Sequence, residues 1–419
     1  MTSNISTVSK ATSLAHAKRV IYTLFIANAI SMTGNQLALL AIPWFVLATT
    51  GSAAQTGITA FFTLLPTVLA TFFGGAFIDR IGFKPASIIA DLASGVTVLL
   101  IPVLFAAGWL PFWLLQVLVF LGALLDAPGV TARDALLPEL AAAAEMPLER
   151  IASLNQIVER SSRLLGAPAA GFLIALVSAQ NVLYLDAATF AVSALLVWVI
   201  VPNIKIDKPV DDTASPPGYL ADLQAGLRYV RQDVLILTIV GIVLITNLLD
   251  AALASVIYPV FVRDVYGSAI GLGLIFGVSG GGAVIGALIY SAMGHRYTRY
   301  RVYVWSFIVV ALARIPLIFL PPLWIVLATA AIVGLAAGPL NPIMSAVSYS
   351  RIPSAMRGRV LGVIRSGAFM AMPLGVLLAG YALEGLGLRL TLIIVVVCYL
   401  LTTVSLLFNR QLRAMDDDR

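Results

Sequence analysis

Long apolar stretches alternate with short polar ones along the whole chain. Crossing about 30 Å of hydrocarbon takes roughly 20 helical residues. Backbone polar groups in lipid must be satisfied within their own segment, so such stretches favour helices over open strands. The pattern therefore predicts an all-α membrane protein with 12 transmembrane helices, at approximately 21–49, 54–78, 86–107, 110–130, 152–178, 181–202, 234–261, 270–294, 301–320, 322–349, 358–383 and 388–409.

A repeat divides these predicted spans into two sets of six. IPWFVLATTGSAAQTG at 42–57 and YPVFVRDVYGSAIGLG at 258–273 share Pro, Phe-Val, Gly-Ser-Ala and Gly at an offset of 216 residues. An eight-residue Arg-to-Pro spacing also occurs once in each set, as Arg160 and Pro168, and as Arg365 and Pro373. We therefore predict two pseudo-symmetric six-helix halves. Such duplication places a substrate site between halves that rock to give alternating access.

Four regions follow from this division. We predict a cytoplasmic tail at 1–20, a first half at 21–202, a cytoplasmic linker at 203–232 and a second half with a short tail at 233–419. The linker ends in apolar residues at helical spacing: Leu220, Leu223, Leu227 and Val230. This short amphipathic helix either lies on the inner membrane face or packs against the inner helix ends.

Composition and charge agree with a membrane location. Hydrophobic residues make up 60% of the chain and charged residues 11%, whereas soluble domains carry about 25% charged residues. A cytoplasmic N-terminus places most Lys and Arg, including Arg133, in cytoplasmic segments and leaves only Arg263 and Arg389 in outer loops. We therefore expect a multi-pass protein of the cytoplasmic (inner) membrane with both termini inside. We expect no cleavable signal peptide, because the first apolar run is too long.

The turn between the second and third predicted spans carries a motif, GGAFIDRIGFKP at 74–85. It resembles the signature of the major facilitator superfamily, Gly-x-x-x-Asp-Arg-x-Gly-Arg-Arg/Lys, and departs from it at Phe83. Three other stretches are similar to the branch that holds macrolide-efflux proteins and the enterobactin exporter: 41–52, 132–140 and 183–197. The residues that match the signature are Gly75, Asp79, Arg80, Gly82 and Lys84.

The resemblance implies a conformational gate at this turn. Gly75 and Gly82 permit close helix approach and positive φ. In the family, an Arg at the position of Arg80 pairs with a carboxylate at the inner end of the fourth helix, and Asp126 is the candidate. A simple positive-inside anchor is the alternative function of the motif. Arg160 and Arg365 are further gate candidates by their symmetry, with Asp134 or Glu159 as possible partners.

Asp250 is the strongest candidate for a cavity residue, because ionisable residues inside spans are costly and usually functional. It lies in the seventh predicted span, and Asn247 shares its face at a spacing of three. The resemblance implies that this span lines the central cavity. Asp250 then carries a coupling proton or neutralises a cationic substrate; the alternative is a carboxylate held by hydrogen bonds for packing.

The first predicted span carries a polar stripe with the same two interpretations. In the family this helix lines the cavity, and amide side chains can orient a substrate; alternatively they bond neighbouring helices. The residues are Asn28, Ser31, Asn35 and Gln36. We expect Arg314 to extend outward from a peripheral helix. We expect Asp91 and Asp186 to serve structure, near their helix ends.

No Walker motif, metal-ligand cluster or catalytic triad is visible in the sequence. GVSGGGAVIG at 277–286 lacks the Lys of a phosphate loop, and its glycine pairs predict close helix packing instead. We therefore expect no enzyme activity, no cofactor, no metal and no nucleic-acid partner.

The sequence and the resemblance together predict a secondary transporter. We expect a monomeric, proton-coupled antiporter that exports small amphipathic organic compounds, such as drugs or siderophores, from a lipid bilayer. A lipid or lysophospholipid flippase on the same fold is one alternative, and a non-transporting membrane sensor is another. The residues leave substrate identity open, together with Na⁺ coupling or uniport.

Overall fold

The computed structural model describes the backbone of residues 2–202 and 219–416. Within these ranges it describes all side chains except those of 2–16, 70–80, 219–222, 295 and 355. The described residues form helices and contain no strand. The first six helices are α1 (Thr2–Thr50), α2 (Ala53–Ile81), α3 (Phe83–Ala106), α4 (Phe112–Ala143), α5 (Leu148–Val177) and α6 (Ala179–Ile200).

The later helices are shorter and more often interrupted. A π-helical turn at Leu253–Ile257 joins α8 to α9, and a 3₁₀ segment at Ile315–Phe319 follows α11. The helices are α7 (Tyr219–Gln232), α8 (Val234–Ala252), α9 (Tyr258–Tyr266), α10 (Ile270–Met293), α11 (Arg299–Ala313), α12 (Leu323–Ala337), α13 (Leu340–Arg351), α14 (Arg357–Phe369) and α15 (Met372–Phe408).

The chain packs into two units. The first contains Met1–Phe45 and Phe62–Pro209, and α3 packs closely against α4 and α6 within it. Small residues permit this approach: a Cβ at Gly129 of α4 would lie 2.9 Å from the Cβ of Ala90 on α3. The first unit therefore has its own helical core, built around α3.

The second unit contains Val46–Phe61 and Val210–Arg419. By packing, the end of α1 and the beginning of α2 belong to this unit rather than to the first. Its closest helix pair is α10 with α12, where a Cβ at Gly282 would lie 2.8 Å from the carbonyl oxygen of Ala331. One turn further along α10, a Cβ at Gly286 would likewise lie against the backbone of Leu335. The predicted close packing is confirmed for Gly282 and Gly286, but a Cβ at Gly281 would meet nothing within 4 Å.

The internal repeat is visible in the backbone. Gly51 (φ 70°) ends α1 and Gly267 (φ 67°) ends α9, so both copies of the repeated stretch use a left-handed glycine. A second pair of turns matches as well. Ser178 (φ 75°, ψ 156°) separates α5 from α6, and Gly387 (φ 78°, ψ 169°) divides α15. Positive φ is strained for residues other than glycine, so its recurrence at matching places indicates duplicated architecture.

Nine stretches of the described residues are long and apolar enough to cross a membrane. One of them, Arg357–Phe408, contains the break at Gly387 and is long enough for two crossings. The described apolar part of α2 is short, Ala53–Leu69. The chain is a multi-pass membrane protein, and the count of 12 crossings stays a prediction.

The amphipathic linker helix α7 packs against other helices. A Cβ at Gly226 would lie 2.8 Å from the carbonyl oxygen of Arg359 on α14, and Val230 is buried. The Tyr229 hydroxyl donates a hydrogen bond of 2.8 Å to the carbonyl oxygen of Arg351. Burial raises the pKa of Tyr229 above its usual value, which keeps this hydroxyl protonated as a donor. Of the two interpretations of this helix, packing against helix ends is the observed one.

Candidate functional site

The second unit contains an open cavity of about 990 Å³. Its wall is formed by α8, the π-helical turn and parts of α10 to α15, and most of the lining side chains are apolar. This volume is at the upper end of the range for sites that bind drug-sized molecules, about 300–1,000 Å³. Polar side chains interrupt the apolar wall on several helices, among them Asn247 and Asp250 on α8 and Asn341, Ser345 and Ser348 on α13.

An ion pair between Asp250 and Arg314 is the main polar feature of the cavity. Arg314 Nη2 lies 2.6 Å from Asp250 Oδ1. The two side chains differ in access, because that of Asp250 is 42% exposed and that of Arg314 only 7%. A molecule in the cavity therefore meets the carboxylate more readily than the guanidinium.

The expected outward extension of Arg314 is wrong. Helix α11 ends at Ala313, and Arg314 is its C-terminal cap before the 3₁₀ segment begins. At this break the side chain turns inward to Asp250. Its guanidinium carbon lies 4.2 Å from the ring centroid of Tyr399, a favourable cation–π distance. Spacing along one helix could not show this, because both partners come from other helices.

The backbone beside Asp250 is irregular. Helix α8 ends at Ala252, and the π-helical turn at Leu253–Ile257 follows directly. Pro259 comes two residues after that turn. Proline lacks an N–H and its ring displaces the carbonyl four residues before it, so a wider turn accommodates Pro259. Single π-helical turns are frequent at functional sites, and this one contributes Leu253 and Ala254 to the cavity wall.

Asn247 and Asp250 both line the cavity, and so share a face of α8 as their spacing predicted. The Asn247 amide also donates a hydrogen bond of 2.9 Å to the carbonyl oxygen of Ala368, which ties α8 to α14. Arg365, expected at a gate, is also in the cavity wall. The structure thus brings together Asn247, Asp250 and Arg365, and adds Arg314, Tyr258 and Tyr399.

The polar stripe of α1 lies in the first unit and bonds helices there. Asn28 and Ser31 are buried, and the Asn28 amide donates to Asn155 Oδ1 at 3.3 Å. Asn35 Nδ2 donates to Asp126 Oδ2 at 2.9 Å. Gln36 packs against the backbone of α5 at Gly166. These contacts are those of helix packing, and a substrate role for the stripe stays a prediction.

The gate motif is described in part. Gly82 joins α2 to α3 with φ 91°, so its predicted positive φ is confirmed. Lys84 Nζ donates to the carbonyl oxygen of Trp198 at 2.9 Å, near the C-terminus of α6. The side chains of Gly75, Asp79 and Arg80 lie outside the described residues, so the pairing of Arg80 with Asp126 stays a prediction.

The two carboxylates suggested for Arg160 have other partners. Glu159 Oε1 pairs with Arg163 Nη2 at 2.6 Å, one helical turn away on α5. Asp134 Oδ1 accepts a hydrogen bond from Asn155 Nδ2 at 3.0 Å. Arg160 itself is exposed. Its role in a gate stays a prediction, and these two contacts do not support it.

Arg133 is buried between helices, and its expected place in a cytoplasmic segment stays a prediction. Arg133 Nη1 lies 2.8 Å from both carboxylate oxygens of Asp91, and both side chains are fully buried. The Ser193 hydroxyl donates to the same carboxylate at 2.7 Å. Helix α4 extends to Ala143, well beyond the predicted end at 130, so Arg133 lies within the helix and faces α3. The available signal was the charge of Asp91 inside the third predicted span, which calls for a partner.

The described residues contain no group of three or more His, Cys, Asp or Glu that could hold a metal ion. A mostly apolar cavity with polar groups in its wall is the usual form of a site that binds an organic molecule.

Comparison with known proteins defines the class of this fold and site. The Major Facilitator Superfamily model matches residues 24–249 and 240–417. The chain belongs to the major facilitator superfamily, as the motif at 74–85 predicted.

Its relatives include named efflux proteins. The multidrug efflux pump Tap of Mycobacterium tuberculosis is 32% identical over 397 residues, which cover 93% of this chain and 94% of Tap. Macrolide efflux protein A of Streptococcus pyogenes is 22% identical over 380 residues, covering 89% and 91% of the two chains. The predicted resemblance to the macrolide-efflux branch is confirmed.

Solved transporters share the fold. A mutant of the nucleoside transporter NupG superposes with a TM-score of 0.77 at 13% identity, covering 93% of this chain and 99% of NupG. The D-xylose-proton symporter gives 0.65 at 14% identity, covering 92% and 96%. At these identities the similarity shows the fold alone.

Proposed function

We propose that this chain is a monomeric secondary exporter of amphipathic organic compounds in the cytoplasmic membrane. It works by alternating access and exchanges substrate for protons, with drugs or siderophores as the substrate class. The cavity around the Asp250–Arg314 pair is the observation that carries the proposal. The efflux names of the relatives support export as the direction of transport.

The cavity suits an apolar molecule with a polar or cationic end. An apolar wall binds an organic body of varied shape, because hydrophobic attraction is not directional. Asp250 supplies the accessible charge, since its carboxylate is 42% exposed and its partner Arg314 is almost covered. A cationic or hydrogen-bond-donating end of the substrate would therefore approach Asp250.

Asp250 can link substrate release to proton uptake through Arg314. In the described structure the carboxylate pairs with the guanidinium of Arg314 at 2.6 Å. A substrate cation or a proton would compete with Arg314 for that carboxylate. Leaving a buried charge without its partner is costly, about 3–5 kcal/mol. Exchange at Asp250 would thus alter the preference of the protein between conformations, which is the requirement for coupling.

The remaining candidates take roles around this site. With both termini cytoplasmic, the Gly82 turn lies at the inner face, where Asp79, Arg80 and Asp126 would close the inner side. Gly75 and Lys84 support the same turn, and Arg160 and Arg365 are further gate residues. Asn28, Ser31, Asn35 and Gln36 would contribute polar contacts along the path.

Inverted membrane vesicles with an acidified lumen test this function. A pH-sensitive dye would report proton release from the lumen on addition of macrolides, lipophilic cations, siderophores or lysolipids. We expect release in the wild type and its loss in Asp250→Asn. Glu139→Gln is the control, because Glu139 is an exposed acid on α4, outside the cavity wall.

Each outcome of this experiment has a separate meaning. Equal proton release in the wild type and in Asp250→Asn would support proton coupling and would show that Asp250 is not on the proton path. If neither the wild type nor Asp250→Asn releases protons while cells still export labelled drug, proton coupling is excluded. If no compound moves and a labelled lipid is translocated instead, the flippase interpretation replaces the proposal.

A further inference from the structure

The turn between α1 and α2 is held at both sides by charged side chains of the second unit. Arg263 Nη1 donates to the carbonyl oxygens of Leu47 at 3.3 Å and Gly51 at 3.2 Å. Glu384 Oε2 accepts from the Ser52 hydroxyl at 3.1 Å and from the Ala54 backbone N–H at 3.2 Å. The turn itself belongs to the second unit by packing.

Each charge meets the helix end that attracts it. The last carbonyls of a helix carry partial negative charge and the first N–H groups carry partial positive charge. Arg263 therefore stabilises the end of α1, and Glu384 stabilises the beginning of α2. The carbonyl of Leu47 also accepts the Gly51 N–H at 3.0 Å, so Arg263 is its second donor. The Ala54 N–H lies in the first turn of α2, where N–H groups have no partner within the helix, and Glu384 supplies one.

The contact is specific to one copy of the repeat. The offset of 216 places Arg263 at the position of Leu47 in the first copy, and Arg263 bonds the carbonyl of that same residue. The first copy has no charge at this position. Only the second copy can therefore donate a charged hydrogen bond to the backbone of the other copy.

A glycine contact brings the backbones close beside the charged groups. A Cβ at Gly57 of α2 would lie 2.8 Å from the Cα of Gly380 on α15. Such contacts between small residues are held by van der Waals packing, which separates without leaving a buried charge. The contacts of Glu384 and the contact of Arg263 with Gly51 are also exposed, so water can replace them when the turn moves.

We propose that Arg263 and Glu384 form a releasable latch that holds the α1–α2 turn and closes the external side of the cavity. The inference rests on the proposed function for its membrane orientation, which places this turn outside. The latch is closed in the described structure. Its opening would accompany the outward-facing state, in which substrate leaves.

Cysteine labelling tests the latch without any substrate or proton gradient. The parent protein would carry Cys398→Ser, which removes the single native thiol, and Ser279→Cys in the cavity wall. A membrane-impermeant maleimide would be applied to right-side-out and to inverted vesicles. Glu384→Gln and Arg263→Gln are the latch variants. Arg389→Gln is the matched control, an exposed arginine a few residues after Glu384 on α15.

We expect labelling from the external face to rise about twofold to fivefold in either latch variant, the size expected for one charge at a helix end. Labelling from the inner face should fall, and the control should match the parent. Unchanged labelling from both faces in both latch variants would overturn the proposal. If the latch variants shift maleimide labelling but the wild type transports none of the tested compounds, the latch stands and the proposed function is rejected.

A cross-link provides a second test if either variant folds poorly. Ser52→Cys with Glu384→Cys replaces the 3.1 Å contact by a pair of thiols in the same parent. After oxidation, only the thiol at 279 remains free for the maleimide. External labelling should then fall below the parent and recover on reduction. External labelling that is equal before and after oxidation, with the cross-link formed, contradicts the latch.

Discussion

At the scale of single residues, opposite charges on different helices determine the interior chemistry of both units. Asp91 with Arg133 is fully enclosed, whereas Asp250 with Arg314 borders a cavity. The Asp91 carboxylate also accepts a hydrogen bond from the Ser193 hydroxyl, so this pair connects α3, α4 and α6. The second pair leaves its carboxylate accessible. This difference in access separates a structural pair from a functional candidate.

Removing one member of the enclosed pair should destabilise the protein strongly. Asp91→Ala leaves the Arg133 charge buried without its partner, and the expected loss of unfolding free energy is about 3–5 kcal/mol. The double variant Asp91→Ala with Arg133→Leu should recover a substantial part of that loss. Heating in detergent followed by fluorescence-detected size-exclusion chromatography would measure both. Asp264→Asn, in an exposed pair, should change stability by at most about 1 kcal/mol. A double variant no more stable than Asp91→Ala contradicts this account.

At the scale of helices, glycines determine which neighbours approach closely. Gly286 of α10 meets the backbone of α12 at Leu335, while Gly281 on the same helix has nothing within 4 Å of its would-be Cβ. Gly286→Ala should push the two helices apart and cost about 1–3 kcal/mol. Gly281→Ala should be neutral or stabilise by up to about 1 kcal/mol, because alanine is less flexible in the unfolded chain. Thermal unfolding of the two variants would compare them, and equal losses would show that packing at Gly286 is not the cause.

The matched turns at Ser178 and Gly387 offer a test of backbone strain. Both residues have positive φ with extended ψ, a region that only glycine occupies without cost. Ser178→Gly should therefore stabilise the protein by about 1 kcal/mol. Gly387→Ser should destabilise it by about 1–3 kcal/mol. Unfolding temperatures that shift in the same direction for both substitutions would show that the two turns are not equivalent.

At the scale of the whole molecule, the sequence predicts helices and repeats better than partners. Apolar length, the 216-residue offset and the motif at 74–85 are local patterns, and they led to the superfamily fold. The face shared by Asn247 and Asp250 was predictable for the same reason. Arg314 was placed wrongly and the buried pairing of Arg133 was missed, because their partners lie on other helices. Periodicity gives a face but not the neighbour opposite it. The extension of α4 past 130 was missed because polar residues there resembled a loop.

The orientation of the whole chain is the last prediction, and it follows from the distribution of Lys and Arg. Four single-cysteine variants in a Cys398→Ser background would test it: Ala107→Cys, Ala143→Cys, Tyr297→Cys and Trp324→Cys. Each position is exposed and lies near a helix end. An impermeant maleimide on intact cells should label positions 107 and 324, and should label 143 and 297 only after permeabilisation. Positions 107 and 143 flank α4, so labelling of both from outside would show that α4 does not cross the membrane. If the labelling pattern of all four positions is reversed, the fold stands but the chain has the opposite orientation in the membrane. That result would place the Arg263–Glu384 latch on the cytoplasmic side and the Gly82 turn outside.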